Sequence, residues 1–211
     1  MENIESNYYK NSRPEIVDFI PANIERILDI GCSSGEFLKL VKLKTNAETW
    51  GVEINPYVAE QAKKNVDTVI CGKVEDMISQ LPFGYFDCIT LNDVLEHLVN
   101  PNEVLELLIP KLKADGIIVA SIPNVRYIDN LYAVVVKKDW EYKEEGILDS
   151  THLRFFTKKS MVRLFMNCGM KVKLQKGINP TTSKRFKVLN ILTLGFFRDA
   201  QYLQFINIVT H

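Results

Sequence analysis

Residues 26–37 read RILDIGCSSGEF, and this stretch decides the architecture. Arg26 to Ile30 is a short, mostly apolar run of the kind that forms a strand buried on both faces. It breaks at once into Gly31-Cys32-Ser33-Ser34-Gly35, a run of small residues, and from Glu36 the apolar positions recur at helical spacing. A strand that turns through small residues into a helix brings backbone close to whatever lies above the turn. It also aims the first amides of the helix at it.

The same alternation continues outward. Strands are expected at 48–53, 68–71, 85–91 and 116–122, and helices at 36–43, 56–64 (Asn55 as cap, Pro56 first) and 102–112. Ser12-Arg13-Pro14-Glu15 has the form of an earlier helix start. After Pro123 the rhythm changes. Residues 124–150 are read as an insertion over the active face, rich in charge and in aromatics, Tyr127, Tyr132, Trp140 and Tyr142 among them. A helix capped by Thr157 and running to Cys168 follows, then strands at 170–176 and 202–209, with 177–199 read as an irregular, partly apolar loop. Strands alternating with helices mean an α/β doubly wound, Rossmann-like sheet, and residues 1–211 are read as one domain.

Composition sets the outer bounds. Twenty-six Lys and Arg balance 26 Asp and Glu, which argues against a whole-surface nucleic-acid binder. The zero conceals a division: residues 151–211 carry 11 basic side chains and one acid, leaving 15 basic and 25 acidic before them. Four cysteines at 32, 71, 88 and 168 show no CxxC spacing, so neither a disulfide scaffold nor a metal ligand set is assigned. The polar start MENIESNYYKNSRPE lacks an apolar secretory core, and no apolar run reaches the length of a membrane span, so a cytoplasmic protein is expected.

Several meanings of the glycine turn compete. A dinucleotide fingerprint needs a third glycine where Glu36 stands. Gly31 to Gly35 matches GxSxG letter for letter, but a nucleophile elbow needs earlier strands, and only 30 residues precede this one. A S-adenosylmethionine loop, with an acid two residues before the first glycine and a glycine four after it, fits, and a bare structural turn stays open. Glu53, ending the second strand 22 residues after Gly31, stands where doubly wound folds place a carboxylate for ribose hydroxyls, and Ile54 beside it would pack on an adenine. NAD shares that ribose. An NAD-dependent dehydrogenase of this layout would be expected to have a second, substrate-binding domain, and none is expected within residues 1–211.

ILDIGCSSGEFL, GVEINP, VEDM, FDCITLNDVLEHLVNP, LKADGIIVASIPNVR and DSTHLRFFTKKSMVRLFMNCGMKV, in this order over residues 9–209, resemble class I S-adenosylmethionine-dependent methyltransferases. The branch they resemble holds ubiquinone-biosynthesis O-methyltransferases and methyltransferases found near glycan-biosynthesis enzymes. The resemblance implies a seven-stranded sheet of order 3-2-1-4-5-7-6 with the last strand antiparallel. It implies S-adenosyl-L-methionine as cofactor and S-adenosyl-L-homocysteine as product. Asp29, Gly31, Cys32, Ser33 and Gly35 would then hold the methionine moiety and Glu53 the ribose. Val74 would offer its backbone to the adenine, Glu75 would accept from the exocyclic amine, Asn92 would face the sulfonium, and Arg13 would pair with the cofactor carboxylate. Ser33 replaces the family's middle glycine, and Lys73 stands where many members carry an acid.

A hydroxyl acceptor must lose a proton as it is methylated. His152, in DSTHLRFF after the insertion, is the candidate base. Asp93, Glu96 and His97 are expected at i, i+3, i+4 on one helical face, where a similar cluster in the resembling quinone enzymes is linked to metal or substrate. The partners expected are a small-molecule or glycan acceptor, anionic if Lys184-Arg185-Phe186-Lys187 meets it, with peripheral membrane contact as another role for that segment. No nucleic acid is expected, and the protein is read as a monomer or homodimer. A cofactor-binding regulatory module without transferase activity is the alternative function.

Overall fold

The computed structural model describes residues 12–211, so the polar start of the chain lies mostly outside the described residues. Seven strands form one sheet: β1 (Arg26–Ile30), β2 (Glu48–Glu53), β3 (Thr68–Cys71), β4 (Phe86–Asn92), β5 (Leu112–Pro123), β6 (Lys171–Pro180) and β7 (Tyr202–Thr210). Their order is β3-β2-β1-β4-β5-β7-β6, with β1 to β5 parallel and β7 antiparallel to both β5 and β6. This is the expected seven-stranded Rossmann-like α/β sheet.

Strand β1 shows why the sheet needs helices on both faces. Leu28 and Ile30 pack into one core with Ile89, Leu91 and Phe205, while Ile27 packs on the opposite face with Cys88 and Ile206. Alternation of period two thus feeds two apolar layers. Each fully buried Leu or Ile contributes about 1.5–3 kcal/mol.

The helices are α1 (Pro14–Val17), α2 (Glu36–Thr45), α3 (Pro56–Ala62), α4 (Val74–Met77), α5 (Pro101–Leu108), α6 (Ile128–Tyr132), α7 (Lys158–Asn167) and α8 (Lys184–Leu192). Helix α3 starts as expected, with the Asn55 side chain accepting from the Tyr57 and Val58 amides. Thr157 and Ser160 cap α7 reciprocally. Helix α5 starts one residue earlier than expected, at Pro101, because Asn100 supplies its cap. It yields to a 3₁₀ turn over Ile109–Lys111, which contains Pro110.

Two expectations are corrected. Residues 177–199 are not simply irregular: β6 continues to Pro180, and Ser183 then caps α8 by accepting from Phe186 N. Only Phe186 of α8 is buried, so the helix lacks the apolar stripe that would announce it. Asp93, Glu96 and His97 do not share a helix, because Asp93 adopts a left-handed backbone (φ 54°) directly after β4. Linked turns follow, with His97 N donating to Val94 O.

Gly51 of β2 fixes the distance between this strand and the small-residue turn. A Cβ at position 51 would stand 2.4 Å from Cys32 Sγ and 2.8 Å from its Cβ. Gly51→Ala is therefore expected to lower stability by about 1–3 kcal/mol through overpacking, read as a lower urea midpoint. An unchanged midpoint would show that the turn shifts freely.

Candidate active site

The candidate site lies along the carboxyl ends of β1, β2, β3 and β4, where parallel sheets of this type receive ligands. After β1 the chain passes through three left-handed residues in five, Gly31 (φ 70°), Ser33 (φ 52°) and Gly35 (φ 79°). The Gly31 and Cys32 amides donate to Val52 O at 2.8 and 3.1 Å, folding the turn over the end of β2. Any Cβ at Gly31 would meet Val94 Cγ2 at 2.9 Å. Ser33 holds a conformation that favours glycine, a strain of about 1–3 kcal/mol of the kind that collects at functional sites.

Glu53 binds this turn to the next one. It is buried, and its carboxylate accepts from Ser33 N at 2.9 Å and from Asn55 N at 2.8 Å. Beside it the apolar Ile54 side chain is 61% exposed. Gly72 N donates to Glu53 O, bringing the start of α4 alongside, with Val74 buried and Glu75 exposed in its first turn. Glu53, Ile54, Val74 and Glu75 therefore converge at one end of the edge.

Asp29 and Asn92 form the other end. Asp29 is 3% exposed and accepts from Thr90 Oγ1 at 2.6 Å and Asn92 Nδ2 at 3.5 Å. Burial pushes its carboxyl up to about 7, with the Glu53 charge adding to the rise and the Thr90 hydroxyl and Arg13 opposing it. The Asn92 Oδ1 atom is buried without a hydrogen-bond partner among the described residues. Such an atom is costly unless a bound group donates to it. These residues fit a ligand with an adenosine at the Glu53 end and an amino acid at the Asp29 end. Arg13 is placed near this edge, but its guanidinium is engaged by Asp93 at 2.5 Å and by Gln204 Oε1 at 3.3 Å. Reaching a cofactor carboxylate would require it to share the Asp93 partner.

A second cluster adjoins β4. The Glu96 carbonyl accepts from Leu153 N at 2.8 Å and Arg154 N at 3.0 Å, clamping the turns after β4 to the loop carrying His152. His152 is buried, its Nδ1 lies 2.9 Å from Ile147 O, and its ring centre is 4.6 Å from that of His97. A carbonyl only accepts, so in the neutral ring Nδ1 carries the proton and Nε2 the lone pair. Nε2 is 4.0 Å from Glu96 Oε1. Both Glu96 carboxyl oxygens are buried without hydrogen-bond partners among the described residues. Burial, and then the Asp93 charge, holds this carboxyl well above the usual carboxylate range. Burial also pushes the His97 imidazole down.

Donor atoms of Glu96, His97 and His152 all lie within 4.8 Å of one another, a set of two imidazoles and a carboxylate able to hold a divalent ion. The sequence assigns no metal ligands, because His152 is 55 residues from His97 and tertiary contacts, the Glu96 backbone clamp and the His97 contact with Thr151, unite them. Thr90 was legible as a lone hydroxyl in an apolar strand beside Asp29, whereas Gln204 carried no local signal.

Comparison with known proteins agrees with this geometry. A family model described as a methyltransferase domain matches residues 6–175. The ubiquinone biosynthesis O-methyltransferase of Chromobacterium violaceum is 26% identical over 183 residues, covering 80% of this chain and 77% of that enzyme. The mitochondrial ubiquinone biosynthesis O-methyltransferase of Schizosaccharomyces pombe is 36% identical over 104 residues, which is 46% of this chain and 37% of that enzyme. A solved SAM-dependent methyltransferase from Archaeoglobus fulgidus shares the fold with a TM-score of 0.68 at 24% identity, covering 93% of this chain and 91% of its own.

The raised Asp29 carboxyl gives a pH dependence. Below about pH 7 it holds a proton, and above that it is charged, as a partner for a ligand's amino group would need to be. Calorimetric affinity for S-adenosylhomocysteine is expected to strengthen from pH 6 to pH 8, and Asp29→Asn to flatten the profile. Because folding raises this pKa, the free chain should lose stability as pH climbs from the ordinary carboxylate value through 7. An affinity independent of pH would remove Asp29 from the site.

Proposed function

The chain belongs to the class I S-adenosylmethionine-dependent methyltransferases, and we propose that within this family it methylates a hydroxyl oxygen of a small-molecule or glycan-type acceptor, with His152 as the base. S-adenosylmethionine supplies an activated methyl group on its sulfonium. The chain's own part is to bind, to align and to move one proton. Asp29, Gly31, Cys32, Ser33 and Gly35 line the methionine side, Glu53 takes the ribose, and Ile54, Val74 and Glu75 the adenine. Asn92 faces the sulfonium, and Arg13 closes the methionine end beside Asp93.

The observation that carries the base assignment is the hydrogen bond from His152 Nδ1 to Ile147 O, which leaves Nε2 free to accept a proton. The Glu96 carboxyl faces that nitrogen, its Oε1 4.0 Å from Nε2. The insertion supports the acceptor side, since Trp140 and Tyr142 pack on Phe155 at ring separations of 5.1 and 6.3 Å, and Phe155 in turn packs on His152. The O-methyltransferase names of the sequence relatives support oxygen as the atom methylated. A regulatory module without activity has no observation in its favour.

The orphaned Glu96 oxygens favour one second reading, in which a divalent cation on Glu96, His97 and His152 lowers the acceptor's pKa in place of a base. Release of S-adenosylhomocysteine with a panel of catechols and nucleotide-linked sugars separates the two. Under the base mechanism, His152→Ala binds S-adenosylhomocysteine normally and turns over about 10²–10⁴-fold more slowly, while dialysis against a chelator changes nothing. Activity lost to the chelator and restored by a divalent cation would favour the metal, and wild-type turnover by His152→Ala would eliminate the base.

A further inference from the structure

One large cleft is used by none of the steps above. A cavity of about 1000 Å³ opens between the β6–β7 hairpin and the first turn of α7. Arg126, Lys158, Lys159, Lys176, Arg198 and Asp199 supply its charge, and Phe196, Tyr202 and Phe205 its rings. The charge is one-sided. Asp199 is the single acid in the lining and is already held by Arg126 at 2.8 Å. Lys158, Lys159 and Arg198 have no acidic partner among the described residues. The Lys158 ammonium lies 5.7 Å from the centre of the Phe205 ring, which places it over the aromatic floor of the cleft. Both lysines stand in the first turn of α7, which contains no acid. Cations collected there repel one another and the positive end of the helix dipole, unless an anion lies among them.

The floor is shaped as well as charged. A Cβ at Gly177 would fall 2.2 Å from the Tyr202 ring, so the glycine lets that ring lie flat against β6. Tyr202 and Phe205 then meet edge to face at 5.7 Å. Strand β7, which supplies Tyr202 and Phe205 to the cleft, also reaches the end of β4. Gln204, between those two rings in sequence, donates to Asp93 at 2.6 Å, the residue after Asn92. Asn124, directly after β5, donates to the carbonyls of both Asp199 and Tyr202 at 3.0 Å.

We propose that this cleft binds a phosphate or diphosphate group carried by the methyl acceptor. Lys158, Lys159 and Arg198 would neutralise the phosphoryl oxygens, and Tyr202 and the exposed Phe196 would pack against the group attached to them. The assignment of this anion to the acceptor rests on the methyltransferase reading above, whereas anion binding itself does not. The same chemistry could arrive on a soluble nucleotide-linked molecule or on a lipid. The exposed Ile191, Leu192 and Phe196 of α8 and the turn after it lie beside the cleft's Arg198 in sequence and would meet the lipid form.

The test measures binding by the full chain of inorganic pyrophosphate and UDP by calorimetry, and cosedimentation with phosphatidic acid or phosphatidylcholine vesicles. S-adenosylhomocysteine affinity is taken in parallel. We expect pyrophosphate, UDP or phosphatidic acid to bind, and the double variant Lys158→Glu, Lys159→Glu to weaken that binding at least tenfold with S-adenosylhomocysteine affinity unchanged. Binding of UDP supports the soluble source, and binding only to phosphatidic acid vesicles supports the lipid source. Should the double variant lose S-adenosylhomocysteine as well, Arg198→Glu on the rim replaces it with the same expectation. No binding by any probe, or binding indifferent to charge reversal, overturns the proposal. Failure of the wild type to bind S-adenosylhomocysteine would instead count against the methyltransferase reading.

Discussion

The Glu53 carboxylate is the interaction on which the cofactor edge depends. A buried acid at the end of an apolar strand is unfavourable unless its oxygens are satisfied. Here two backbone amides, from Ser33 and Asn55, satisfy them. One amide belongs to the small-residue turn after β1 and the other to the turn that opens α3. Glu53 therefore sets the separation of two loops whose bonded amides are 22 residues apart in the chain. Gly51 and Cys32 set the same separation from below by contact, since no side chain larger than hydrogen fits between strand and turn. Charge above and packing beneath together hold Ser33 in its left-handed conformation.

The rest of the sheet presents chemistry to that edge. Strand β4 delivers Thr90 to Asp29 from within the core and ends in Asn92 and Asp93 at the surface of the site. Strand β7, antiparallel to its neighbours, brings Gln204 to Asp93 from the other side. Arg13, from the start of the described chain, meets both. This network joins the beginning, middle and end of the described chain beside Asn92.

Much of this was legible in the sequence, because local chemistry wrote it. Apolar runs gave the strands, Asn55-Pro56 and Thr157 gave helix starts, and Asp29, Gly31 and Glu53 stood at spacings that a cofactor edge requires. What escaped was of two kinds. Some features lack a local signal: α8 buries a single side chain, and nothing around Asp93 announces a left-handed residue, so a helical face was expected where linked turns occur. Other features are long-range, such as the meeting of Glu96 with His152, which depends on backbone bonds from Leu153 and Arg154 to the Glu96 carbonyl. The engagement of Arg13 by Asp93 is of the second kind.

The division of charge along the chain now has a partial physical account. Acids of the first part supply Asp29 and Glu53 to the edge and Asp93 to Arg13, while bases of the last part leave Lys158, Lys159 and Arg198 around one cleft. The central claim is narrower: the Glu53 carboxylate organises the cofactor edge. Calorimetric titration of S-adenosylhomocysteine into Glu53→Gln tests it most directly, because the amide conserves shape while its nitrogen can no longer accept from a backbone amide. The account predicts at least a tenfold loss of affinity in a folded chain. Affinity equal to that of the wild type would contradict it.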